Sequence, residues 1–444
     1  MRGASGCLSA RGPLIPVKYA ILTFGCRTNQ ADSFDLERGL RARGGEEARV
    51  ESADLVLVNT CSVTATAEQA ARQAIRRVAR LNPCARIVAT GCYATRQSPD
   101  LASLPVWRVV PNDIKTDAPR DVGVADAAVR AGSTVLDVAQ DFSPANSRPM
   151  PGPGTRGRTL CLLRVQTGCN EGCAYCIVPA TRGRSRSVPL AAIVHQVAEA
   201  ASAGYKEAVI TGVHLGCYGR DLEPVAGLSD LVRALSAHPG DIRFRLSAVE
   251  PMDFGDDVID ALAGTDRFAH HFHLPLQHAS DRILSAMARP YTIERYTAIV
   301  SRLRDRFPEA AIGADLIIGF PGETEADFEA CATYLAASPL TYVHVFPFSP
   351  RPGTRAATLG GRPRGDDVRR RVRCLRGIGA DLGRRFRKRF VGTVREGLTI
   401  EDGSLVLTDN YLRVRIPPGR ERNERVKVRI VEDGELMRGI LVYA

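Results

Sequence analysis

Three cysteines lie close together in the middle of the chain, within QTGCNEGCAYCIVPATRGRSRS. Cys169, Cys173 and Cys176 have the spacing C-x3-C-x2-C and follow an apolar stretch. Thiolates at this density favour an iron–sulfur cluster or zinc. Structural zinc takes four ligands, so three thiolates favour a 4Fe-4S cluster with one iron left open. Zinc or chance spacing is the alternative, and Cys161, inside the apolar LCLLRV, is interpreted as a buried inert thiol.

A second set of three cysteines is dispersed in sequence. Cys26, Cys61 and Cys92 each follow a predicted strand, within TFGC, VNTC and ATGC. In a parallel sheet the carboxyl ends of strands share one edge, where ligands bind. We therefore expect a second cluster there, the alternative being three unrelated thiols near turns. The other cysteines lack such an arrangement and are interpreted as structural or neutral: Cys7, Cys84, Cys217, Cys331 and Cys374.

Alternating strands and helices must position these thiols. Over residues 17–135, strand-like stretches such as ADLVLVNTC alternate with helix-like ones such as ATAEQAARQAIRRVARLN. This alternation predicts an α/β domain with a parallel sheet. Residues 136–158 contain the Pro-, Gly- and Ser-rich DFSPANSRPMPGPGTRGR and are predicted to form a linker.

Two further domains are expected. Residues 159–389 contain about six strand–helix units and end in a basic helix that starts near Asp366. They predict a partial (βα)6 barrel, with function at the carboxyl ends of its strands. The predicted strands are LCLLRVQTG, EAVITGVHL, FRLSAVEP, FHLPLQ, IGADLIIGF and YVHVFPFS. Residues 390–444 change to short alternating strands, which predict a small antiparallel β-barrel.

Charge favours an anionic partner. The net charge is +11, and residues 362–389 hold eleven Arg and one Lys against three Asp. No apolar run reaches the length of a membrane span, and the first residues lack the apolar core of a secretion signal. We therefore expect no membrane partner and a cytoplasmic location, with residues 1–16 as a tail or an over-extended start.

The two cysteine sets together resemble those of the radical S-adenosylmethionine (SAM) methylthiotransferases. The first set, with Tyr175 before its third cysteine, is similar to the radical SAM signature. The resemblance extends from about Val17 to the end of the chain. It is carried by TFGCRTNQADS, NTCSVTATAEQ, TGCYA, GCNEGCAYCIVPATRGRSRS, TGVHLGCYGRD, RLSAVEP, HLPLQHASDRIL, DLIIGFPGETEADF and HVFPFSPRPGTRAA. Such proteins join an N-terminal methylthiotransferase domain, a radical SAM barrel and a C-terminal TRAM barrel.

The resemblance implies a function. NTCSVTATAEQ and ITGVHLGCYGRD look most like the branch that acts on N6-threonylcarbamoyladenosine (t6A) at position 37 of tRNA. The implied product is its 2-methylthio form, ms2t6A. The implied cofactors are SAM and two 4Fe-4S clusters. The cluster on Cys169, Cys173 and Cys176 would generate the 5′-deoxyadenosyl radical, and the one on Cys26, Cys61 and Cys92 would hold the sulfur.

The resemblance also suggests residues that contact SAM. Tyr175 is placed to contact the adenine, and Gly212 to let the methionine end approach the backbone. The side chains of Ser247, Glu250 and Gln277 can hydrogen-bond ribose or amino groups; the alternatives are a turn cap for Glu250 and a buried backbone partner for Gln277. Three strand histidines, by contrast, are interpreted as satisfied core residues: His214, His273 and His344.

The expected partners are the anticodon loop of tRNA, a low-potential electron donor and a sulfur donor. The basic helix, the small barrel and three arginines beside the cluster loop favour RNA contacts: Arg182, Arg184 and Arg186. Alternative functions are methylthiolation of isopentenyladenosine 37, methylthiolation of a ribosomal-protein aspartate, and a non-catalytic iron–sulfur RNA-binding module.

Overall fold

The structure is a computed structural model that describes residues 17–96, 101, 103–112, 115, 150–434 and 436–443. The predicted tail, the end of the predicted first domain and most of the predicted linker lie outside these residues. The described residues form two compact units. So far as their ranges are described, the first is Met1–Phe24, Ser33–Cys61 and Glu68–Pro149, and the second is Gly25–Asp32, Ser62–Ala67 and Met150–Ala444.

The sheet of the first unit is parallel, as predicted. Its strands are β1 (Lys18–Thr23), β2 (Glu46–Glu47), β3 (Leu55–Thr60), β4 (Arg86–Gly91) and β5 (Arg108–Val110), in the order β2-β1-β3-β4-β5. The chain's first helices are α1 (Arg27–Arg41), α2 (Ala65–Leu81) and α3 (Cys92–Thr95). Alternating strand residues pack on both faces, for example Val56 with Ile75 and Leu57 with Leu40. The alternation of apolar strands and helices in the sequence therefore produces a sheet with an apolar cluster packed on each of its two faces.

The second unit contains six parallel strands, which form two three-stranded sheets. Its strands are β6 (Cys161–Arg164), β9 (Glu207–Thr211), β10 (Arg243–Leu246), β11 (His271–His273), β12 (Ala311–Ile318) and β13 (Tyr342–Pro347). Bridges from Phe244 to Phe268 and from Ala248 to His273 join β10 to the β11 side. A short hairpin of β7 (Gln166–Thr167) and β8 (Arg186–Ser187) follows β6. The six predicted strands are all present, which confirms the partial barrel.

Helices connect these strands. They are α4 (Val178–Arg182), α5 (Leu190–Ser202), α6 (Leu228–Ser236), α7 (Asp256–Ala263), α8 (Asp281–Ala286), α9 (Ile293–Arg306), α10 (Glu325–Ala337) and the basic α11 (Gly365–Lys388). In the described part of the chain, none of the helices has the length and apolar character needed to cross a membrane.

The C-terminal strands close into a five-stranded barrel. They are β14 (Val394–Ile400), β15 (Leu405–Thr408), β16 (Arg413–Arg415), β17 (Arg425–Glu432) and β18 (Met437–Val442). The expected antiparallel pairing is wrong for one pair, because β16 and β18 run parallel where the sheet closes on itself. Buried Arg245 of β10 donates to the backbone oxygens of Thr408 and Asp409, both at 3.1 Å, and so links this barrel to the sheet that contains β10.

Candidate active site

The central cysteines lie on a loop at the carboxyl end of β6, between β7 and α4. Gln166 shapes the start of this loop. Its amide nitrogen donates to Gly168 O at 2.8 Å, and its amide oxygen accepts from the backbone N–H groups of Val213 and His214, each at 2.9 Å. Gly168 has φ +73°, and a Cβ there would lie 1.9 Å from Arg184 O, so only glycine fits.

Hydrogen-bond donors surround the three sulfurs. Arg289 donates to Cys173 Sγ at 3.0 Å, while the backbone N–H groups of Glu171 and Val178 donate to Cys169 and Cys176 Sγ, each at 3.4 Å. Donors of this kind stabilise the negative charge of cluster thiolates.

The donor set fits a bound cluster. Burial raises the pKa of the Cys176 thiol to about 12, and the neighbouring Cys169 and Cys173 add to this effect. Burial also raises the pKa of Cys173. The thiolates of Cys173 and Cys176 therefore need a bound cationic centre to stay deprotonated. Soft sulfur ligands on one loop are what an iron–sulfur cluster requires.

A buried histidine supports the loop from the end of β9. His214 Nδ1 lies 3.6 Å from Cys169 Sγ and 3.4 Å from Cys217 Sγ, and its Nε2 lies 2.6 Å from Asp253. Although burial opposes protonation, the hydrogen bond to Asp253 and those to the two thiols raise the pKa of His214 to about 12. The interpretation of His214 as a satisfied buried residue is thus confirmed. Its place beside Cys169 was not predicted, because Cys169 is 45 residues away in sequence.

Arg289 connects the cysteine loop to Glu250. Its buried guanidinium pairs with the Glu250 carboxylate and donates to Tyr291 Oη at 3.1 Å as well as to Cys173. Sequence reasoning missed Arg289, which lies in an ordinary-looking turn. Because the same guanidinium contacts a predicted SAM residue and a predicted cluster ligand, both predictions concern one site.

The other predicted SAM residues have distinct environments. Ser247 Oγ is buried without a hydrogen-bond partner among the described residues, and an orphaned hydroxyl of this kind fits a polar ligand. Gln277 has φ +68°, a strained conformation for a residue with a side chain. Tyr175 packs against a buried apolar cluster that contains Ile283 and Phe320. At Gly212 a Cβ would lie 3.0 Å from Gln166 Oε1, so close packing already disfavours a side chain at this position.

The dispersed cysteines follow three neighbouring strands, β1, β3 and β4. Cys61 and Cys92 come directly after β3 and β4 and are buried, while Cys26 comes three residues after β1 and is exposed. Asn112 Nδ2 donates to Cys92 Sγ at 3.6 Å. The register pairs Thr60 with Gly91, so Cys61 and Cys92 leave the sheet at the same level.

Gly91 allows these two strand ends to approach each other. It has φ +97°, and a Cβ there would lie 2.2 Å from Thr60 O and 2.7 Å from Asn59 Oδ1. Thr60 Oγ1 in turn donates to Thr90 O at 2.6 Å. The glycine before Cys92 is therefore required by the backbone approach.

The segment that contains Cys26 packs within the second unit, as Gly25–Asp32. Arg182, at the end of α4, donates to Asn29 Oδ1 at 2.5 Å and pairs with Asp32 at 2.7 Å. Asp32 also pairs with Arg164 at 3.1 Å. The expectation that Arg182 steers RNA is wrong, because this side chain is buried in an ion pair, whereas Arg184 and Arg186 are exposed.

These features define a radical SAM protein: a six-stranded partial barrel with three thiols on the loop after its first strand. Residues 163–335 match the radical SAM superfamily, and residues 18–110 match the uncharacterized protein family UPF0004. In fold, the chain resembles the radical SAM methyltransferase TsrM from Kitasatospora setae, with TM-score 0.54 and 17% identity, covering 77% of each chain.

Two relatives from Aquifex aeolicus are more similar in sequence. The chain is 35% identical to the threonylcarbamoyladenosine tRNA methylthiotransferase MtaB, over 93% of this chain and 100% of the relative. It is 32% identical to a tRNA-2-methylthio-N(6)-dimethylallyladenosine synthase, over 87% of this chain and 88% of that relative. The chain belongs to the family of radical SAM tRNA methylthiotransferases represented by MtaB. Membership of the radical SAM superfamily implies a 4Fe-4S cluster and SAM as cofactors.

Proposed function

We propose that the protein transfers a methylthio group to carbon 2 of N6-threonylcarbamoyladenosine at position 37 of tRNA. The observation that carries this proposal is the thiol loop at the carboxyl end of β6, in a chain that aligns with the whole length of a relative named for this activity. Carbon 2 of adenine carries an unactivated C–H bond that no side-chain base removes readily. When bound, the cluster and SAM supply the one-electron chemistry that this bond demands.

Residues around the loop compensate charge. Cys169, Cys173 and Cys176 are the proposed ligands of the first cluster. Arg289 donates to Cys173 while it neutralises Glu250, so the partly buried carboxylate and the thiolate share one cation. This arrangement favours a negatively charged cluster without an uncompensated buried charge.

SAM is proposed to lie across the carboxyl ends of the strands, against Tyr175, Gly212, Ser247, Glu250 and Gln277. The unpaired Ser247 hydroxyl and the strained backbone of Gln277 support this placement. Both features cost stability that a bound polar ligand offsets.

A second 4Fe-4S cluster is proposed on Cys26, Cys61 and Cys92. Their positions after three neighbouring parallel strands support it, as does the close approach that Gly91 allows. Because the product gains a sulfur atom and the radical step consumes an electron, we also propose a sulfur donor and a low-potential electron donor as partners.

The proposed RNA contacts come from the C-terminal barrel and α11. Strand residues alternate there, with apolar side chains such as Val414 and Val428 buried inside the barrel. The outward positions carry exposed cations: Arg413, Arg415, Arg425, Lys427, Arg429 and Arg438. Such a surface suits the phosphates of the anticodon arm.

Dimethylallyladenosine 37 is the second candidate substrate, because the 32% identity to the dimethylallyladenosine synthase is close to the 35% found for MtaB. The two candidates differ in the N6 substituent of the same nucleotide. Mass spectrometry of tRNA nucleosides from a deletion strain separates them. Loss of ms2t6A is expected, whereas loss of the 2-methylthio dimethylallyl nucleoside with ms2t6A retained would assign the other substrate.

Variants separate the two proposed clusters. With anaerobically reconstituted protein, dithionite and SAM, Cys173→Ala should abolish release of 5′-deoxyadenosine. Cys92→Ala should release it but form no methylthiolated nucleoside. Cys84→Ser and Cys374→Ser remove exposed thiols and serve as controls with unchanged activity. Full methylthiolation by Cys92→Ala would contradict the second cluster.

A further inference from the structure

A polar cluster lies on the inner face of β11, β12 and β13. His273 Nε2 and His344 Nδ1 approach the same oxygen of Asp315, at 3.1 Å and 3.2 Å. The strand register explains why these three side chains lie close together. Asp315 of β12 pairs with His344 of β13, and His273 of β11 pairs with Gly313, which precedes Asp315 by two residues on β12. We call His273, Asp315 and His344 the His–Asp cluster.

The end of this face at the amino ends of the strands is closed by aromatic and histidine side chains. Tyr342 Oη lies 3.0 Å from His273 Nδ1 and 2.7 Å from His271 Nε2. Tyr411 from the C-terminal barrel stacks on His271, with ring centroids 3.9 Å apart. Because His271 and Tyr342 are the first residues of their strands, their contacts close the amino end of this face, and the cluster opens toward the carboxyl ends.

The end of this face at the carboxyl ends of the strands is exposed. The His344 side chain is 57% exposed, Asp315 28% and His273 11%. The interpretation of His344 as a core residue is therefore wrong. Strand alternation puts Phe346 on the same face as His344, and this large aromatic side chain is 40% exposed. A polar cluster beside an open aromatic ring suits a ligand with a flat ring and hydrogen-bonding groups.

The cluster is also connected to the candidate active site. Val249 N donates to His273 O at 3.0 Å, and the next residue is Glu250. Gln277 N donates to Asp315 O at 2.8 Å. The cluster thus lies beside the strand ends proposed to bind SAM.

We propose that the His–Asp cluster and Phe346 form the pocket for the substrate nucleobase, with Phe346 stacking on the purine and the cluster reading its N6 substituent. This rests on the proposed function, whose substrate is an adenine with a polar N6 group. Single-stranded bases are commonly held by stacking on aromatic side chains combined with edge hydrogen bonds.

The chemistry of the cluster matches a threonylcarbamoyl group. Burial opposes ionisation of Asp315, but hydrogen bonds from His273 and His344 hold its pKa well below the usual range, so the carboxylate only accepts hydrogen bonds. The ureido N–H groups of the substituent are donors that suit it, and the second nitrogen of His344, which accepts while Nδ1 donates to Asp315, suits the hydroxyl group of the substituent. A dimethylallyl group offers neither donors nor acceptors, so the cluster discriminates against it.

A divalent metal is the competing ligand, because three donor atoms of the cluster lie within 4.8 Å of one another. Two observations favour the base. Both imidazoles already satisfy one carboxylate oxygen by hydrogen bonding, and the exposed Phe346 has no role beside a metal.

The test uses reconstituted protein and two labelled anticodon stem-loops, one with t6A and one with adenosine at position 37. The affinity of the protein for each RNA is measured anaerobically by fluorescence anisotropy. The wild type should prefer the t6A stem-loop by about tenfold or more. Asp315→Asn and His344→Ala should remove this preference. Phe346→Ala should weaken binding of both RNAs about tenfold, as loss of a stacking ring does. The control His195→Ala, an exposed histidine on α5, should change neither affinity.

SAM cleavage without RNA checks that each variant is folded and loaded. Phe346→Ala removes an exposed side chain, so its result stands even if Asp315→Asn fails to fold. Wild-type affinity for both RNAs in the Phe346→Ala variant, or a retained preference in a folded Asp315→Asn, overturns the pocket. The pocket is also overturned if the wild type binds a metal in addition to the cluster iron, and if this metal is lost in Asp315→Asn but retained in His195→Ala. Preference for t6A without any methylthiolated product in the wild type would instead contradict the proposed function and leave the pocket standing.

Discussion

Arg182 and Asp32 form a buried ion pair at 2.7 Å between the end of α4 and the first turns of α1. α4 directly follows the loop of Cys169, Cys173 and Cys176, and α1 directly follows Cys26. The pair therefore fixes a thiol of one proposed cluster relative to the loop of the other.

Removal of one member of this pair should be costly. Asp32→Asn leaves the buried Arg182 with an uncompensated charge, and the free energy of unfolding should fall by about 3–5 kcal/mol. Urea denaturation measures this change. At temperatures where the variant is folded, methylthiolation should fall far more than SAM cleavage, because Cys26 loses its anchor. The control Asp381→Asn breaks an exposed pair with Arg384 and should change stability little. Equal losses in the two variants would contradict this role of Asp32.

Gly91→Ala tests the approach of the strand ends before Cys61 and Cys92. The new Cβ would meet Thr60 O at 2.2 Å in a conformation with φ +97°, so strain and overlap should together cost more than about 2 kcal/mol. In Gly91→Ala the amount of iron bound per chain should fall by the amount that one cluster contains, while SAM cleavage persists. Gly44→Ala is the matched control: its φ is +78° but no atom lies within 4 Å of the new Cβ, so it should cost only about 1–2 kcal/mol. Unchanged iron content in Gly91→Ala would contradict this prediction.

The sequence predicted elements better than it predicted contacts. Apolar alternation and cysteine position located the strands, since both are local properties of the chain. The start of α1 is not predictable from the local sequence, because RTNQAD has no apolar period and these residues are held by buried polar contacts with Arg182, 150 residues from Asp32. The stacking of Tyr411 on His271 likewise joins distant residues of two domains. Such pairings leave no local periodicity for sequence reasoning to detect.

Arg289 should tune the redox potential of the first cluster. Its hydrogen bond to Cys173 Sγ at 3.0 Å favours the more negative, reduced state. Arg289→Met should therefore lower the midpoint potential, as measured by electron paramagnetic resonance during a redox titration of SAM-free protein. Arg233→Met removes an exposed arginine on α6 and should leave the potential unchanged. An unchanged potential in Arg289→Met would show that the guanidinium serves only to neutralise Glu250.

Asp327 should make stability depend on pH. The carboxylate accepts from Thr324 N at 2.8 Å and Ser280 Oγ at 2.7 Å and pairs with Arg282, joining the start of α10 to α8. Burial opposes its ionisation, but these hydrogen bonds lower its pKa below the ordinary 3.8. Its contribution is therefore complete above pH 3.8 and is lost as the pH falls through the folded-state pKa.

Asp327→Asn should accordingly lower the free energy of unfolding at pH 7 by about 1–3 kcal/mol, since hydrogen bonds to a charged group are lost. The difference from the wild type should narrow as the pH falls below 3.8. Urea denaturation over this pH range measures this difference in the free energy of unfolding. Cluster-free protein is used so that loss of the cluster in acid does not interfere. Asp366→Asn, at an exposed carboxylate on α11, provides the control with little change. A stability difference that stays constant down to the lowest pH would show that Asp327 acts through packing and not through its charge.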